Sequence, residues 1–192
     1  MSRVFVITGP SGVGKGTLIA GLMDRFPRLE LSVSATTRAP RPGERDGAHY
    51  HFLSEEQFDR HVRDGDFVEW AAYAGHRYGT LHSELDQRLR AGTPVVLEIE
   101  VQGARQVRDA VPDAVEVFIA PPGEQTLSQR LRDRGTDPQA DVQARLAQAR
   151  EELAAQAEFA HVVVNDELAV AVDELAAIVA RELGELPPPT GT

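Results

Sequence analysis

A glycine-rich segment near the start of the chain has the residue types and the spacing of a phosphate-binding loop. From Gly9 to Lys15 it reads G-x-x-x-x-G-K, with an apolar run before it and a helical pattern after it. Glycines let the backbone fold around an anion and present its N–H groups, and the helix N-terminus adds partial positive charge. The segment therefore predicts a site for nucleotide phosphates, formed by Gly9, Pro10, Ser11, Gly12, Val13, Gly14, Lys15, Gly16 and Thr17.

Lys15 is the one lysine of the chain, since the other 19 of its 20 Lys and Arg residues are arginine. A compact ammonium group on a flexible stem suits a terminal phosphate. The residue after this lysine usually carries a hydroxyl that binds Mg²⁺. Here that residue is Gly16, followed by Thr17. Thr17 is therefore the candidate metal ligand, and we expect water and phosphate oxygens to complete the coordination of Mg²⁺.

A phosphate loop alone fits several classes of enzyme. A GTPase reads guanine through an Asn-Lys-x-Asp motif, which this chain cannot contain because its one lysine lies in the loop. Motors and helicases usually need longer chains. A nucleotide kinase needs a second anion site and cations over the transferred phosphoryl group. The arginines and tyrosine of "SATTRAPRPGERDGAHYHF", which begins at Ser34, suit that second site.

The elements that must position these residues alternate regularly along the chain. Short apolar runs predict strands, and apolar residues at helical spacing predict the helices between them. This alternation is typical of a mainly parallel sheet covered by helices, hence an α/β fold. The predicted strands are Val4–Thr8, Pro94–Glu100, Ala114–Ala120 and His161–Asn165, and helices are predicted after the loop, over Glu84–Ala91 and Gln102–Val111, and near 138–159 and 168–183.

Two segments interrupt this alternation. Residues 34–83 hold short, aromatic-rich strands around one helix with a capping box at Ser54, and we interpret them as an inserted antiparallel lobe. Residues 123–146 are arginine-rich and predict a helical lid. We expect one domain over 1–186, with a core of 1–33, 84–122 and 147–186, and a disordered tail at 187–192.

Composition limits the partners of the chain. Its 192 residues suit one domain, and its net charge of −10 argues against general binding to nucleic acid or to a membrane surface. It has no cysteine, which fits a reducing compartment, and its first apolar run is too short for a membrane span. We therefore expect a cytoplasmic protein, and the sequence leaves a homo-oligomer open.

Taken together, the motifs resemble those of the guanylate kinase family of P-loop nucleoside monophosphate kinases. The resemblance covers most of the chain, from about Val4 to Asp166, in that family's order and spacing. It is carried by "GPSGVGK", "S-x-T-T-R-x-P-R-x-G-E", "DG-x-x-Y-x-F", "F-x-E-W-A", "YGT", "LEIE-x-QGA", "FI-x-PP" and "RGT".

The resemblance implies an enzyme that transfers a phosphoryl group from ATP to GMP with Mg²⁺, giving ADP and GDP and supplying and recycling guanine nucleotides. It implies that the phosphate of GMP is held by Arg38, Arg41, Tyr50 and Tyr78. It implies that guanine is read by Glu69 with Ser34 and Thr80.

The resemblance also implies a catalytic set around ATP, made of Lys15 and of lid arginines Arg130, Arg134 and Arg145. Arg130 and Arg134 are four residues apart and so share a helical face. Asn165 matches a position near adenine. Glu98 and Glu100 end a predicted strand on the same face and would contact the ribose of GMP or water on the metal. Glu100 departs from the aspartate that is usual in the family.

Two alternatives stay open at this point. "GKGT" also resembles the loop of adenylate kinases, which leaves a kinase for another nucleoside monophosphate as a rival. A non-catalytic guanylate-kinase-like binding module is the second. Lys15 and the lid arginines argue against the module, and Glu69 with the segment from Ser34 to Tyr50 argues against the other kinase.

Overall fold

The computed structural model describes residues 3–73, 75–133 and 139–186, and among them the side chains of 3–73, 75–130 and 147–186. Within this part of the chain, nine strands and seven α-helices form two sheets and their helical layers. The strands are β1 Val4–Thr8, β2 Glu30–Leu31, β3 Ala35–Thr36, β4 His51–Phe52, β5 Phe67–Tyr73, β6 His76–Leu81, β7 Val95–Glu98, β8 Val115–Ala120 and β9 His161–Val164. The helices are α1 Lys15–Arg25, α2 Glu55–Asp64, α3 His82–Arg90, α4 Val101–Ala110, α5 Glu124–Asp133, α6 Gln139–Ala154, extended by a 3₁₀ turn at Ala155–Glu158, and α7 Leu168–Leu183.

The larger sheet has five parallel strands in the order β2-β7-β1-β8-β9. Its central strand β1 is wholly buried, and its alternate side chains point to opposite faces. Phe5 and Ile7 pack in a cluster with residues of α1 and α7, whereas Val4 and Val6 pack in a second cluster with residues of α3 and α4. Burial on both faces explains why these strands are continuous apolar runs, and it confirms the predicted α/β class.

The smaller sheet has four strands in the order β4-β3-β6-β5. β6 pairs antiparallel with both of its neighbours, as predicted, but β3 and β4 are parallel, so the sheet is mixed rather than antiparallel. The long segment 37–50 between them makes the crossover that a parallel pair requires. Helix α2 begins with the predicted capping box of Ser54 and Gln57 and buries Phe58 against Phe67.

Three local features differ from the sequence prediction. Strand β2 was not predicted, because two residues carry no periodicity. The strand predicted over Pro94–Glu100 ends at Glu98, since α4 begins at Val101 and Glu100 is its N-cap residue. Glu98 and Glu100 therefore do not share a strand face. Among the described residues no helix is long and apolar enough to cross a membrane.

Candidate active site

A cleft of about 1060 Å³ lies between the carboxyl ends of the strands in the larger sheet and the inner face of the smaller sheet. The ends of parallel strands are the usual place for ligands in such folds. Most of the predicted site residues meet here although they are far apart in the sequence. Those that line the cleft are Pro10, Ser11, Gly12, Gly14, Lys15, Gly16, Thr17, Ser34, Arg41, Tyr50, Glu69, Tyr78, Glu98 and Glu100.

The glycine loop joins β1 to α1 and is held by a hydrogen bond from the side chain of Asn165. Gly14 is the N-cap residue of α1 and has φ +96°, a conformation that favours glycine. A Cβ at Gly14 would also lie 2.6 Å from Asn165 Nδ2. That nitrogen donates to the carbonyl of Val13 at 2.7 Å. The residue at the end of β9 thus supports the loop directly, and its predicted contact with adenine stays a prediction.

Lys15 lies at the first position of α1 and is only 8% exposed. Its ammonium group donates to the carbonyl oxygens of Gly9 at 2.5 Å and Pro10 at 3.3 Å. Glu100 Oε1 lies 4.0 Å from the same nitrogen. The lysine is therefore held across the mouth of the loop, where a phosphate cradled by the backbone N–H groups would meet its charge.

Arg130 of α5 lies against the outer side of the same loop. Both of its terminal nitrogens donate to the carbonyl of Asn165 at 3.2 Å, and one also reaches the carbonyl of Val13 at 3.4 Å. Arg130 is thus close to the loop, as the lid prediction requires. The other two predicted lid arginines cannot be placed: Arg134 lies outside the described residues, and so does the side chain of Arg145.

Arg38, the first arginine of the second anion site, forms a two-pronged hydrogen bond with a carboxylate. Both terminal nitrogens of Arg38 donate to the carboxylate of Glu44, at 3.0 and 2.8 Å. This contact and the backbone N–H of Arg41 lower the pKa of Glu44 to about 2. The guanidinium lies 5.3 Å from the ring centre of Tyr50. Glu44 therefore orders Arg38 beside the phenol that the sequence assigned to the same phosphate.

Two tyrosines of this region meet edge to face: the ring centres of Tyr50 and Tyr78 are 6.0 Å apart and their planes lie at 65°. Burial raises the pKa of Tyr50 further above neutral pH, where a phenol hydroxyl is a neutral donor. Arg41 is exposed at the edge of the cleft. Guanidinium and phenol donors around one volume suit a phosphate group.

Glu69 is a carboxylate buried in the smaller sheet, with 4% exposure. The hydroxyl of Thr80, across the β5–β6 pair, donates to Glu69 Oε1 at 2.8 Å. Burial raises the pKa of Glu69 to about 7, against the opposing effect of the Thr80 hydrogen bonds. A buried acceptor that is only partly paired suits a ligand that brings N–H donors.

Oxygen groups suitable for Mg²⁺ collect beside the loop. Thr17 is exposed to the cleft, and a Cβ at Gly16 would lie 3.9 Å from both carboxylate oxygens of Glu98. Mg²⁺ prefers such oxygen ligands, and it commonly uses few protein groups together with phosphates and water. This set of donors fits the metal that the sequence predicts.

Comparisons with known proteins agree with this geometry. A family model described as guanylate kinase matches residues 1–182 of the chain. The chain is 53% identical over 175 residues to a guanylate kinase of Synechococcus sp. (strain CC9311), which covers 91% of this chain and 92% of that protein. It is 50% identical over 187 residues to that of Gloeobacter violaceus (strain ATCC 29082 / PCC 7421), covering 97% and 91%.

The chain belongs to the guanylate kinase family. The crystal structure of a guanylate kinase from Anaplasma phagocytophilum superposes with a TM-score of 0.77 at 28% identity, covering 94% of this chain and 86% of that one. Family membership makes the chain an enzyme of the phosphotransferase class, and it confirms the resemblance stated from the motifs.

Other residues line the cleft of this guanylate kinase family member that the sequence reasoning did not select. Ser32, His49 and Tyr73 are among them. A signal for Tyr73 was available, because Glu69, Ala71 and Tyr73 alternate along β5 and all three face the cleft. Ser32 and His49 carry no such pattern, since they lie outside the strands.

Glu152 of α6 is an unexpected neighbour of two site residues, Glu100 and Lys15. It is 8% exposed, and burial together with the charge of Glu100 raises its pKa from 4.5 to about 7, whereas Lys15 acts in the opposite direction. Gln148 donates to its Oε1 at 3.0 Å. Glu152 therefore extends the acidic surroundings of Lys15 from a part of α6 that the sequence assigned to the core without a role in the site.

Glu152→Gln is expected to stabilise the protein at alkaline pH. A carboxyl with a folded pKa above its unfolded value binds protons more tightly when folded, so stability falls as pH rises from about 4.5 to 7. The amide removes this penalty and should increase the free energy of unfolding at pH 8 by roughly 1–3 kcal/mol, with little change at pH 4.5. Thermal unfolding at the two pH values measures the difference.

The matched control for this prediction is Glu151→Gln, which makes the same change at the exposed neighbour in the same helix. Its effect on the unfolding temperature should be small at both pH values. Equal effects of the two variants at pH 8 would contradict the assignment of a buried, destabilised carboxylate to Glu152.

Proposed function

We propose that this protein catalyses the ATP-dependent phosphorylation of GMP, giving ADP and GDP. The observation that carries the proposal is that one cleft contains both the loop lysine Lys15 and the buried carboxylate Glu69. The first suits the phosphates of a donor nucleotide, and the second suits a base with N–H donors. Membership of the guanylate kinase family supports the same reaction.

The ATP side is formed by the glycine loop. Its backbone N–H groups and the start of α1 hold the phosphates, and Lys15 neutralises charge on the phosphoryl group that is transferred. Arg130, which donates to the carbonyls of Val13 and Asn165 beside the loop, adds a second positive charge at the same phosphates. Arg134 and Arg145 complete this cationic cover.

The GMP side is formed by the smaller sheet. Arg38, Arg41, Tyr50 and Tyr78 hold the phosphate of GMP with guanidinium and phenol donors. Glu69 accepts hydrogen bonds from N1–H and from the exocyclic amine of guanine. Adenine presents an acceptor at N1 and has no amine on C2, where guanine carries one. It therefore offers no N–H donor to the buried carboxylate. Ser34 and Thr80 complete the contacts with the base.

The reaction needs no general base from the protein. The nucleophile is a phosphate oxygen of GMP, which is largely dianionic at neutral pH because its second pKa is about 6. Catalysis is then alignment and neutralisation of charge. Thr17 and Glu98 would hold Mg²⁺, directly or through water, and the metal would neutralise charge on the phosphates of ATP. Glu100 contacts the ribose of GMP or water.

We propose the division into lobes that the sequence predicts. Residues 34–83 form the GMP-binding lobe, residues 123–146 the lid, and residues 1–33, 84–122 and 147–186 the core. All strands of the smaller sheet lie within 34–83, which supports the first boundary. Closure of the lobes would exclude water from the phosphoryl group. A cytoplasmic location remains a prediction from the sequence, which leaves a homo-oligomer open.

The test is ADP production from ATP and Mg²⁺ with GMP, AMP, UMP and dTMP offered in parallel. We expect GMP to be used with a kcat/KM at least a hundredfold above that of the other three, and chelation of Mg²⁺ to abolish turnover. Preference for another monophosphate would overturn the role of Glu69. Folded protein without turnover on any of them would indicate a non-catalytic binding module.

A further inference from the structure

Helix α4 approaches the candidate base site at Gly103. Gly103 is buried, and a Cβ built on it would lie against Glu69 Oε2, well inside the 3.0 Å that real Cβ atoms keep, and 3.1 Å from Glu69 Cδ. Both contacts are with the carboxyl group itself. The space that a side chain would fill at Gly103 is therefore the space that the carboxylate occupies.

Backbone conformation does not explain this glycine. Gly103 lies within α4 and is absent from the glycines with positive φ. Apart from proline, glycine is the residue with the lowest helix propensity, and alanine is the one with the highest. The next residue of the same helix is an alanine, Ala104. What glycine supplies at position 103 is room for Glu69.

Gln106, one turn further along α4, holds the neighbouring residue of the same strand. Its Nε2 donates to the carbonyl of Trp70 at 2.8 Å, and its Oε1 accepts from the N–H of Trp70 at 3.2 Å. β5 is an edge strand of the smaller sheet, and this amide pairs with both backbone groups of one of its residues. The strand that carries Glu69 is thereby fixed to α4.

The same helix also reaches the phosphate loop. Glu100, its N-cap residue, lies 4.0 Å from Lys15, and its charge adds to the effect of burial in raising the pKa of Glu69. Glu100, Gly103 and Gln106 are spaced three residues apart, so Gly103 neighbours each of the other two on the helix surface. The first two turns of α4 therefore join the lysine to the base-reading carboxylate.

We propose that Gly103 and Gln106 are positioning residues that determine base specificity by setting where the carboxylate of Glu69 stands relative to the phosphate loop. The proposal rests on the proposed role of Glu69 in reading guanine. Gly103 admits the carboxylate against the helix, and Gln106 holds the strand at that distance. A displaced carboxylate would no longer meet both N–H donors of guanine.

The test is Gly103→Ala in the full-length enzyme, with steady-state kinetics for each nucleotide. A displacement of Glu69 by about 1 Å should raise the KM for GMP roughly tenfold to a hundredfold, with the KM for ATP unchanged. The preference for GMP over AMP should fall by the same factor. Gln102→Ala, on the exposed side of the same helix, is the matched control and should leave both KM values unchanged.

A rescue variant separates positioning from general damage. Glu69→Asp shortens the side chain by one methylene, which makes room for the methyl group that Gly103→Ala adds. Glu69→Asp should therefore raise the KM for GMP much less in the Gly103→Ala background than in the wild type, because it relieves the crowding there. Should Gly103→Ala fail to fold, Gln106→Leu decides, with an expected rise in the KM for GMP of roughly threefold or more at constant KM for ATP.

Glu69→Gln, measured in the same assays, separates the proposed role of Glu69 in reading guanine from the positioning role of Gly103 and Gln106. If Glu69→Gln leaves the KM for GMP unchanged, the role of Glu69 is wrong and the positioning role falls with it. If Glu69→Gln raises that KM but Gly103→Ala and Gln106→Leu behave like Gln102→Ala, only the positioning role is overturned.

Discussion

Lys15→Ala is expected to lower kcat by about a thousandfold or more, with the KM for GMP nearly unchanged. The ammonium group is the one lysine charge of the chain, and it stands at the mouth of the glycine loop, held by the carbonyls of Gly9 and Pro10. Its charge acts on the phosphoryl group as it moves between two anions. An alanine leaves the backbone cradle but removes that charge, so binding should survive better than turnover.

The matched control for Lys15→Ala is Arg63→Ala, which removes one cation from an exposed position of α2 and should leave kcat unchanged. Circular dichroism and thermal unfolding of both variants show whether the fold is kept. Lys15→Arg should also be strongly impaired, because the planar guanidinium is larger than the buried ammonium that it replaces. Turnover of folded Lys15→Ala at more than a tenth of the wild-type rate would remove Lys15 from the transition state.

Much of the core could be predicted because each of its elements carries a local signal. The strand Val4–Thr8 is apolar throughout and ends at a glycine and a proline, and its predicted bounds agree with the structure. Helix α7 has the predicted bounds as well, from apolar residues at helical spacing. Buried parallel strands and amphipathic helices express their packing in their own residues.

The features that sequence reasoning missed depend on contacts between distant segments. The pKa of Glu152 is raised because α6 buries the carboxyl and places it near the charge of Glu100. Position 103 needs a glycine because Glu69, a residue of the smaller sheet, fills the space that a side chain would occupy. Neither residue has an unusual local pattern. Long-range packing decides burial and charge environment, and these cannot be read from spacing alone.

Arg38 shows a second kind of limit. The sequence identified it as a cation for phosphate, yet not the carboxylate of Glu44 that orders it. Glu44 lies only six residues away, but the turn that joins the two side chains has no helical or strand period to indicate it. Residues that bind the substrate were therefore easier to predict than the residues that hold their side chains in place.

Glu69→Gln is expected to raise the KM for GMP by about a hundredfold or more while changing the KM for ATP less than threefold. The carboxylate offers acceptors to two guanine N–H groups, and hydrogen bonds to a charged group are worth about 1.5–3 kcal/mol each. The glutamine amide offers one acceptor and turns an N–H donor towards the other. It has nearly the same volume, so packing against Gly103 and Thr80 is kept.

The same substitution should make the ligand-free protein more stable at pH 8. The folded pKa of Glu69 is raised to about 7, and the ordinary value is 4.5. The ionised carboxylate therefore opposes folding above pH 7, and this cost disappears as pH falls below 4.5. Removing it should raise the free energy of unfolding at pH 8 by roughly 1–3 kcal/mol and leave it unchanged near pH 4.5.

The two effects of Glu69→Gln have opposite signs, and this separates function from structure. Substitution of a residue that only supports the fold would lower stability and activity together. Substitution of a buried carboxylate that serves to bind GMP should raise stability and weaken the binding of GMP. Glu56→Gln, at an exposed position of α2, is the control for the change of charge. Loss of ATP and GMP binding in equal measure would show that Glu69 does not read the base, and a fall in stability at pH 8 would show that its carboxylate does not oppose folding.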